Sequence, residues 1–183
     1  MPSMKKISKQ EWLTTALTAL STQGEEAIRI DKLCKELNVS KGSFYHHFKN
    51  IDDFIVGLMT YWEKAMTESI IETTEKEISF DQKVEKLNEL VSKEDHEMEV
   101  KIRAWGLRNE KVKKQIEGVD LKRIQYLKGL YLQQGNKNSM ADDFAKLEYA
   151  LFVGLQHLFE ASSNQERLRL LELFQQLLKS YAK

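Results

Sequence analysis

Residues 29–48 read Arg-Ile-Asp-Lys-Leu-Cys-Lys-Glu-Leu-Asn-Val-Ser-Lys-Gly-Ser-Phe-Tyr-His-His-Phe. The pattern predicts two short helices, about 30–37 and 40–47. They are parted by Asn38, a residue type that tolerates the left-handed conformation a tight turn requires. Ile30, Leu33, Leu37, Val39, Phe44 and Phe48 fall on the inner faces, which leaves Lys41, Gly42, Ser43, Tyr45 and His46 outward. Two short helices with the second presented outward form a helix-turn-helix, the unit whose second helix can enter a major groove.

The outward set carries suitable chemistry. Ser40 is placed to cap the second helix, whose unpaired N–H groups and dipole favour a phosphate. Gly42 has no side chain to hold the backbone away. Lys41 and Ser43 can donate to phosphates or base edges, and Tyr45 can reach a phosphate or pack on a thymine methyl. Between Leu37 and Ile51 the chain has Lys41, Lys49 and two histidines but no Asp or Glu, so this surface is expected to be positive. His46 and His47 are adjacent, and their rings would point about 100° apart on a helix, which suits one surface and one semi-buried ring better than a shared metal.

Upstream, Leu13, Ala16, Leu17 and Leu20 recur at spacings of three and four and stop near Gly24, predicting a first helix over about 8–22. Downstream, Asn50 with Asp52 and Asp53 supplies a cap and acidic side chains for a fourth helix running to about residue 76. Further helices are expected near 80–92, 95–116, 118–134, 140–160 and 164–181. The single proline stands at position 2, so nothing of that kind interrupts them. Ser8…Glu11, Ser79…Gln82 and Ser163…Glu166 read as capping boxes ahead of helical patterns. No period-2 run bounded by turn residues appears. The fold class is therefore all-α, a three-helix head over residues 1–50 followed by a larger helical body over 51–183.

The chain has 183 residues, with 28 Lys+Arg against 28 Asp+Glu. Residues 1–50 hold eight basic and five acidic side chains, so a head of net +3 is balanced by a body of net −3. No window approaches the roughly 18 apolar residues needed to span a bilayer, and no secretory signal core is present, so a cytoplasmic protein without membrane contact is expected. Cys34 has no second cysteine in the chain, which excludes an intrachain disulfide or a multi-cysteine zinc site. It falls where the inner face wants a small residue and reads as a packed thiol. No cofactor or metal is expected.

Val39-Ser40-Lys41-Gly42-Ser43-Phe44-Tyr45-His46-His47-Phe48 closely resembles the recognition segment of the TetR family (TetR/AcrR-like) of bacterial transcriptional regulators. The resemblance extends more loosely over about residues 7–62. It implies a homodimer with one helix-turn-helix per subunit, a double-stranded operator, and a C-terminal domain that binds an effector and dimerises. Repression is the usual outcome that it implies. The chain departs from the family pattern at Asn38, where a glycine is usual, at Arg29, where Thr is common, and at Ile51, where Lys is common. Arg29 can make its own phosphate contact, and Lys49 is the nearest substitute for the absent lysine.

The order Arg103, Trp105, Val119-Asp120, Arg123, Tyr126-Leu127 and Gly135 is similar to one C-terminal subtype among such regulators. Trp62, Met98, Trp105, Tyr126 and Phe152 could line an apolar effector cavity, with His96, Arg103 or Arg123 supplying its polar contacts. As alternatives, the aromatic residues are core and the arginines pair with Asp120 or a nearby Glu. Phe144, Leu147, Leu151, Gly154, Leu155 and Leu158 make one stripe, with Gly154 permitting close helix approach. Leu168, Leu170, Leu171, Leu173, Phe174, Leu177, Leu178 and Tyr181 cover more than one face. A terminal helix apolar on two faces needs two partners, and a second copy forming an isologous four-helix interface is the economical one. An enzyme finds little support: there is no phosphate-binding glycine loop, and His96-Glu97 lacks a His at position 100. A helical adaptor is the third reading.

Overall fold

A computed structural model of the chain describes residues 6–94, 96–158 and 164–181. Among these, every regular element is helical. In order they are α1 (Lys9–Gln23), a 3₁₀ turn (Glu25–Ala27), α2 (Ile30–Leu37), α3 (Lys41–His47), α4 (Ile51–Glu63), a π turn (Lys64–Glu68), α5 (Ser69–Thr74), α6 (Phe80–Ser92), α7 (His96–Gly106), α8 (Glu110–Gln133), α9 (Asn138–Leu158) and α10 (Asn164–Tyr181).

The helix starts follow the capping chemistry. Ser8 Oγ accepts from the Glu11 amide at 3.2 Å while Glu11 Oε2 accepts from the Ser8 amide at 2.8 Å. The same reciprocal pair joins Ser79 and Gln82 at 3.3 and 3.1 Å. Asn50 Oδ1 accepts from the Asp53 amide at 2.9 Å and starts α4. Ser163, expected to cap α10, lies outside the described residues. Gly24 ends α1 at φ 76°, and Asn38 ends α2 in the left-handed region at φ 55°, ψ 49°.

Two expectations are corrected. The break expected between helices over 95–116 and 118–134 falls earlier, at residues 107–109. Asn109 Oδ1 accepts from the amides of Lys111 and Val112 at 3.0 and 3.2 Å, which caps α8. Gly106 ends α7 against that new helix, since a Cβ there would come within 2.6 Å of Ile116 Cδ1. Gly118 stands exposed inside α8, where glycine costs about 1 kcal/mol relative to alanine without ending the helix. The helix expected to run unbroken from Asn50 to about 76 also widens into the π turn at Lys64–Glu68.

The chain packs as two units. The first takes residues up to Lys64 together with Glu97–Ile116. Its core is aromatic: Phe44 meets Trp12 edge-on at 5.4 Å, Phe48 at 5.2 Å and Phe54 at 5.5 Å between centroids. Leu33, Leu58, Met59, Trp62, Ile102 and Val112 complete it. Polar contacts join α7 and the start of α8 to the head, among them Arg108 to Glu25 and Lys111 to Asp52, each at 2.9 Å, and Lys101 Nζ donating to the Ser21 carbonyl.

The second unit takes Ala65–His96 with Glu117–Lys183. Leu127, Leu130, Tyr131, Ala141, Phe144, Ala145, Tyr149 and Leu178 form its core, flanked by Phe80, Leu87, Phe152 and Phe174. Lys83 is buried against Glu75 at 2.7 Å, and the same carboxylate accepts from the Tyr126 hydroxyl at 2.9 Å. These donors hold the Glu75 carboxyl below its usual range, with the Lys83 hydrogen bond the main cause.

Candidate nucleic-acid interface

Burying Phe44 and Phe48 fixes which face α3 presents. Because side chains recur every 3.6 residues, Lys41, Gly42, Tyr45 and His46 are turned outward and are exposed, Tyr45 by 56 %. Ser43 is half-buried, and Lys49 is exposed just beyond the helix. Tyr45 is braced edge-on against Phe44 at 5.4 Å. The aromatic cluster thus works as a mount, with apolar rings below and polar side chains above on a single two-turn helix.

His47 is half-buried, and its Nε2 lies 2.6 Å from the Ile7 carbonyl, to which it donates. This bond ties the segment before α1 to α3. The division of the two histidines into one exposed and one semi-buried ring matches the sequence reading. Ser40 does not. Its backbone occupies the cap position of α3, but its side chain accepts no capping hydrogen bond, and the hydroxyl stays at the surface beside Gly42. Arg29 is exposed and stands 3.4 Å from Asp31, an ion pair that solvent screens heavily. Cys34 is buried, and loss of solvation pushes its thiol up from the ordinary cysteine value.

An open recess runs beside α3, bordered by Lys6, Lys35, Asn38, Ser40, Gly42 and His46 among others. Lys6 and Lys35 add positive charge that the sequence reading did not assign to this surface. Lys35 could have been found from its place one turn before the Asn38 bend.

The residues expected around an effector divide between the units. Trp62, Met98 and Trp105 are buried in the first, where Arg103 pairs with Glu99 at 2.9 Å. In the second, His96 and Phe152 come together, with ring centroids 6.2 Å apart, and line a small cavity with Gln156. Arg123 donates instead to Thr67 Oγ1 and the Met66 carbonyl, and Tyr126 to Glu75. A second small cavity is lined by Glu148, Tyr131 and Gln175, none of which was expected. Glu148 sits in register with the buried stripe of α9 (Ala141, Phe144, Ala145, Tyr149), and a carboxylate in such a stripe is the signal that marks it.

Of the residues expected at a subunit interface, Leu147, Leu158, Leu177 and Tyr181 are exposed, and Leu151, Leu170 and Phe174 are half-buried. Phe144 and Leu155 are buried within the chain's own core. A Cβ at Gly154 would meet nothing within 4 Å, so that glycine serves no close approach inside the chain.

The left-handed Asn38 bend between α2 and α3, with the carboxylate-free α3 turned outward, defines this part of the chain as a helix-turn-helix unit. Residues 13–57 match the model for bacterial regulatory proteins of the tetR family. The match falls on the helix-turn-helix segment, the same part of the chain that carries the outward face of α3. It is similar to the transcriptional regulator AcuR of Cereibacter sphaeroides, 29% identical over 70 residues, a match covering 36% of this chain and 32% of that protein. The fold is shared with a TetR transcriptional regulator from Legionella pneumophila at a TM-score of 0.78 and 16% identity, with both chains fully covered. It is also shared with a transcriptional regulator from Saccharomonospora viridis, solved in complex with choline, at a TM-score of 0.76 and 17% identity over 91% of this chain and 94% of that one. Among the described residues no helix is long and apolar enough to cross a membrane.

Proposed function

We propose that the chain is a ligand-responsive, DNA-binding repressor that acts in the cytoplasm as a homodimer on an approximately palindromic operator and is released by a small-molecule effector. Residues 1–50 form the DNA-binding head in this reading, and 51–183 serve effector binding and dimerisation. The observation that carries it is the outward face of α3, where Lys41, Gly42, Ser43, Tyr45 and His46 stand over the buried Phe44 and Phe48 with no carboxylate between Leu37 and Ile51. Ser40, Lys49 and Arg29 flank that face and complete the set of DNA contacts.

Exposed Leu147, Leu158, Leu173, Leu177 and Tyr181 on α9 and α10 support self-association, because several large apolar side chains left exposed on two helices are what a partner surface would cover. An isologous contact would give the two recognition helices a twofold relation, and operator half-sites mirror such symmetry. The choline complex of the Saccharomonospora viridis protein supports a small-molecule effector.

Selection of preferred sequences from random duplex DNA with the full chain tests the reading. Enrichment of a palindrome whose binding weakens steeply with salt is the expected result. Failure to enrich any sequence overturns it. Screening small molecules for release of the selected duplex then tests effector control.

A further inference from the structure

Glu148 projects from α9 into the interior of the second unit and is only 7% exposed. A buried carboxylate ordinarily has a cationic partner, because an ion in an apolar surround is otherwise strongly disfavoured. Here its hydrogen-bond partners among the described residues are neutral. The Tyr131 hydroxyl donates to one oxygen, and Gln175 Nε2 donates to the other at 2.6 Å. Gln175 is itself held by Asn88, whose Nδ2 donates to Gln175 Oε1 at 3.1 Å. Three elements thus contribute side chains that fix the orientation of one carboxyl group.

That group lines a cavity of about 20 Å³, enough for one water molecule, between α6, α8, α9 and α10. Apolar walls come from Phe80 and Leu87 on α6 and from Leu127 on α8. The titratable groups that line it with Glu148 are Tyr131 from α8 and Lys179 from α10; α6 supplies apolar side chains alone. Lys179 is engaged elsewhere: its Nζ lies 2.8 Å from Asp81 and stands over the Phe80 ring at 5.6 Å from the centroid. A cation already rests on that aromatic face, and the carboxylate behind it has none.

We infer that this cavity is the effector site and that it takes a small organic cation, its ammonium group hydrogen-bonded to Glu148 and its apolar part against Phe80 and Leu87. The inference rests on the reading of the chain as an effector-responsive regulator. A primary ammonium supplies the donors and the charge that Glu148 lacks, and a charge-assisted hydrogen bond in a water-poor site is the stronger kind. An occupant larger than one water requires Lys179 to swing away from Phe80, a motion open to a long side chain at the unit's surface. The ligand binds the ionised carboxyl. Burial favours the protonated form, so binding releases a proton and tightens as pH rises.

Calorimetric titration of the full chain with n-butylammonium, tetramethylammonium and uncharged n-butanol tests this. n-Butylammonium should bind, more tightly at mildly alkaline than at acidic pH; tetramethylammonium, which has the charge but no N–H donor, and uncharged n-butanol should bind more weakly. Glu148→Gln keeps the size and the hydrogen-bonding ability but removes the charge, and it should weaken ammonium binding by roughly tenfold or more. Tyr131→Phe keeps the carboxylate and should retain binding, which separates charge from packing. Thermal unfolding of both variants verifies that they are folded. Equal affinity of wild type and Glu148→Gln for n-butylammonium, binding of n-butanol as tight as that of n-butylammonium, or no n-butylammonium binding would overturn the inference. Operator binding measured on the same samples keeps the two readings apart. A selected duplex released only by uncharged compounds leaves the regulator reading standing and removes the cation site. Ammonium binding through Glu148 with no DNA sequence enriched does the reverse.

Discussion

The Arg123 guanidinium reaches the Met66 carbonyl with Nη2 at 3.2 Å and Thr67 Oγ1 with Nε at 3.0 Å, both inside the π turn of Lys64–Glu68. A π turn holds an extra residue and disturbs the regular i→i−4 ladder, so an outside donor is a fitting partner for it. The Tyr149 hydroxyl lies 3.4 Å from Arg123 Nη1 and donates to Asp120 at 2.6 Å, so the arginine belongs to a fixed polar group on α8 and α9.

Arg123→Met keeps the aliphatic stem and removes these donors. Loss of hydrogen bonds from a charged, half-buried group should cost about 1–3 kcal/mol. Urea unfolding measures it, and an unchanged midpoint would show that the π turn holds without the arginine.

On the outward face of α3, Lys41 and Tyr45 are exposed, so truncating them should leave folding unchanged within about 0.5 kcal/mol. Lys41→Ala should weaken binding of the selected duplex and lower the slope of log affinity against log salt by about 1, the signature of one lost phosphate contact. Tyr45→Ala should weaken binding with a smaller change in slope, because a neutral ring releases no counterion. Wild-type affinity in both variants would mean that α3 is not the reading helix.

Asn38 offers a backbone test. A non-glycine residue in the left-handed region carries a strain of roughly 1–2 kcal/mol, which asparagine partly relieves through local hydrogen bonding. Asn38→Gly should therefore match or exceed wild-type stability, and Asn38→Ala should fall below it by about 1 kcal/mol. Thermal unfolding ranks the three, and an alanine variant as stable as glycine would contradict the assigned conformation.

How far the sequence disclosed the molecule depends on what each residue was asked to show. Asn38, Gly24 and the Ser8 and Ser79 boxes act over three or four residues, so their partners are visible in the sequence, and the structure has them as read. Phe44 and Phe48 were legible because one aromatic per turn fixes an inner face. Ser40 misled because a cap needs a side-chain rotamer as well as a residue type. The break at residues 107–109 contains neither glycine nor proline, and Gly106 and Asn109 stop and restart the helix together from its two sides. Trp62, Met98 and Trp105 show the limit of apolar periodicity, which reports burial and cannot separate a cavity wall from a packed core. The Glu148, Tyr131 and Gln175 group joins three successive helices; the α9 stripe marks Glu148 as buried, but contacts that reach across 17 and 27 residues leave no local pattern naming its partners.

Self-association has a direct probe. Leu177 is 58% exposed, so a charge there should not disturb the chain's own core. In an isologous dimer every substitution occurs twice, and Leu177→Glu would place two carboxylates in an apolar contact. A rise of roughly a hundredfold in the dimer dissociation constant is expected, about 2.7 kcal/mol. Sedimentation velocity reads it, and an unaltered oligomer would move the interface away from this face of α10.

The buried carboxyl of Glu148 also governs how stability responds to pH. Burial, the main cause, raises it above the ordinary glutamate value, while hydrogen bonds from Tyr131 and Gln175 offset part of that rise. Between the unfolded and folded values the native chain holds a proton that the unfolded chain has released, so this group's stabilising contribution is full below the unfolded value. That contribution is then lost as pH rises through the folded one. Glu148→Gln is neutral throughout and should abolish this component, giving a flatter stability profile above the normal carboxylate range and a higher unfolding midpoint at neutral pH. Parallel denaturant titrations from acidic to neutral pH compare the two proteins. Identical slopes would mean that Glu148 ionises in the folded chain as easily as in the unfolded one, and the carboxyl would then be hydrated by an opening of the cavity toward solvent.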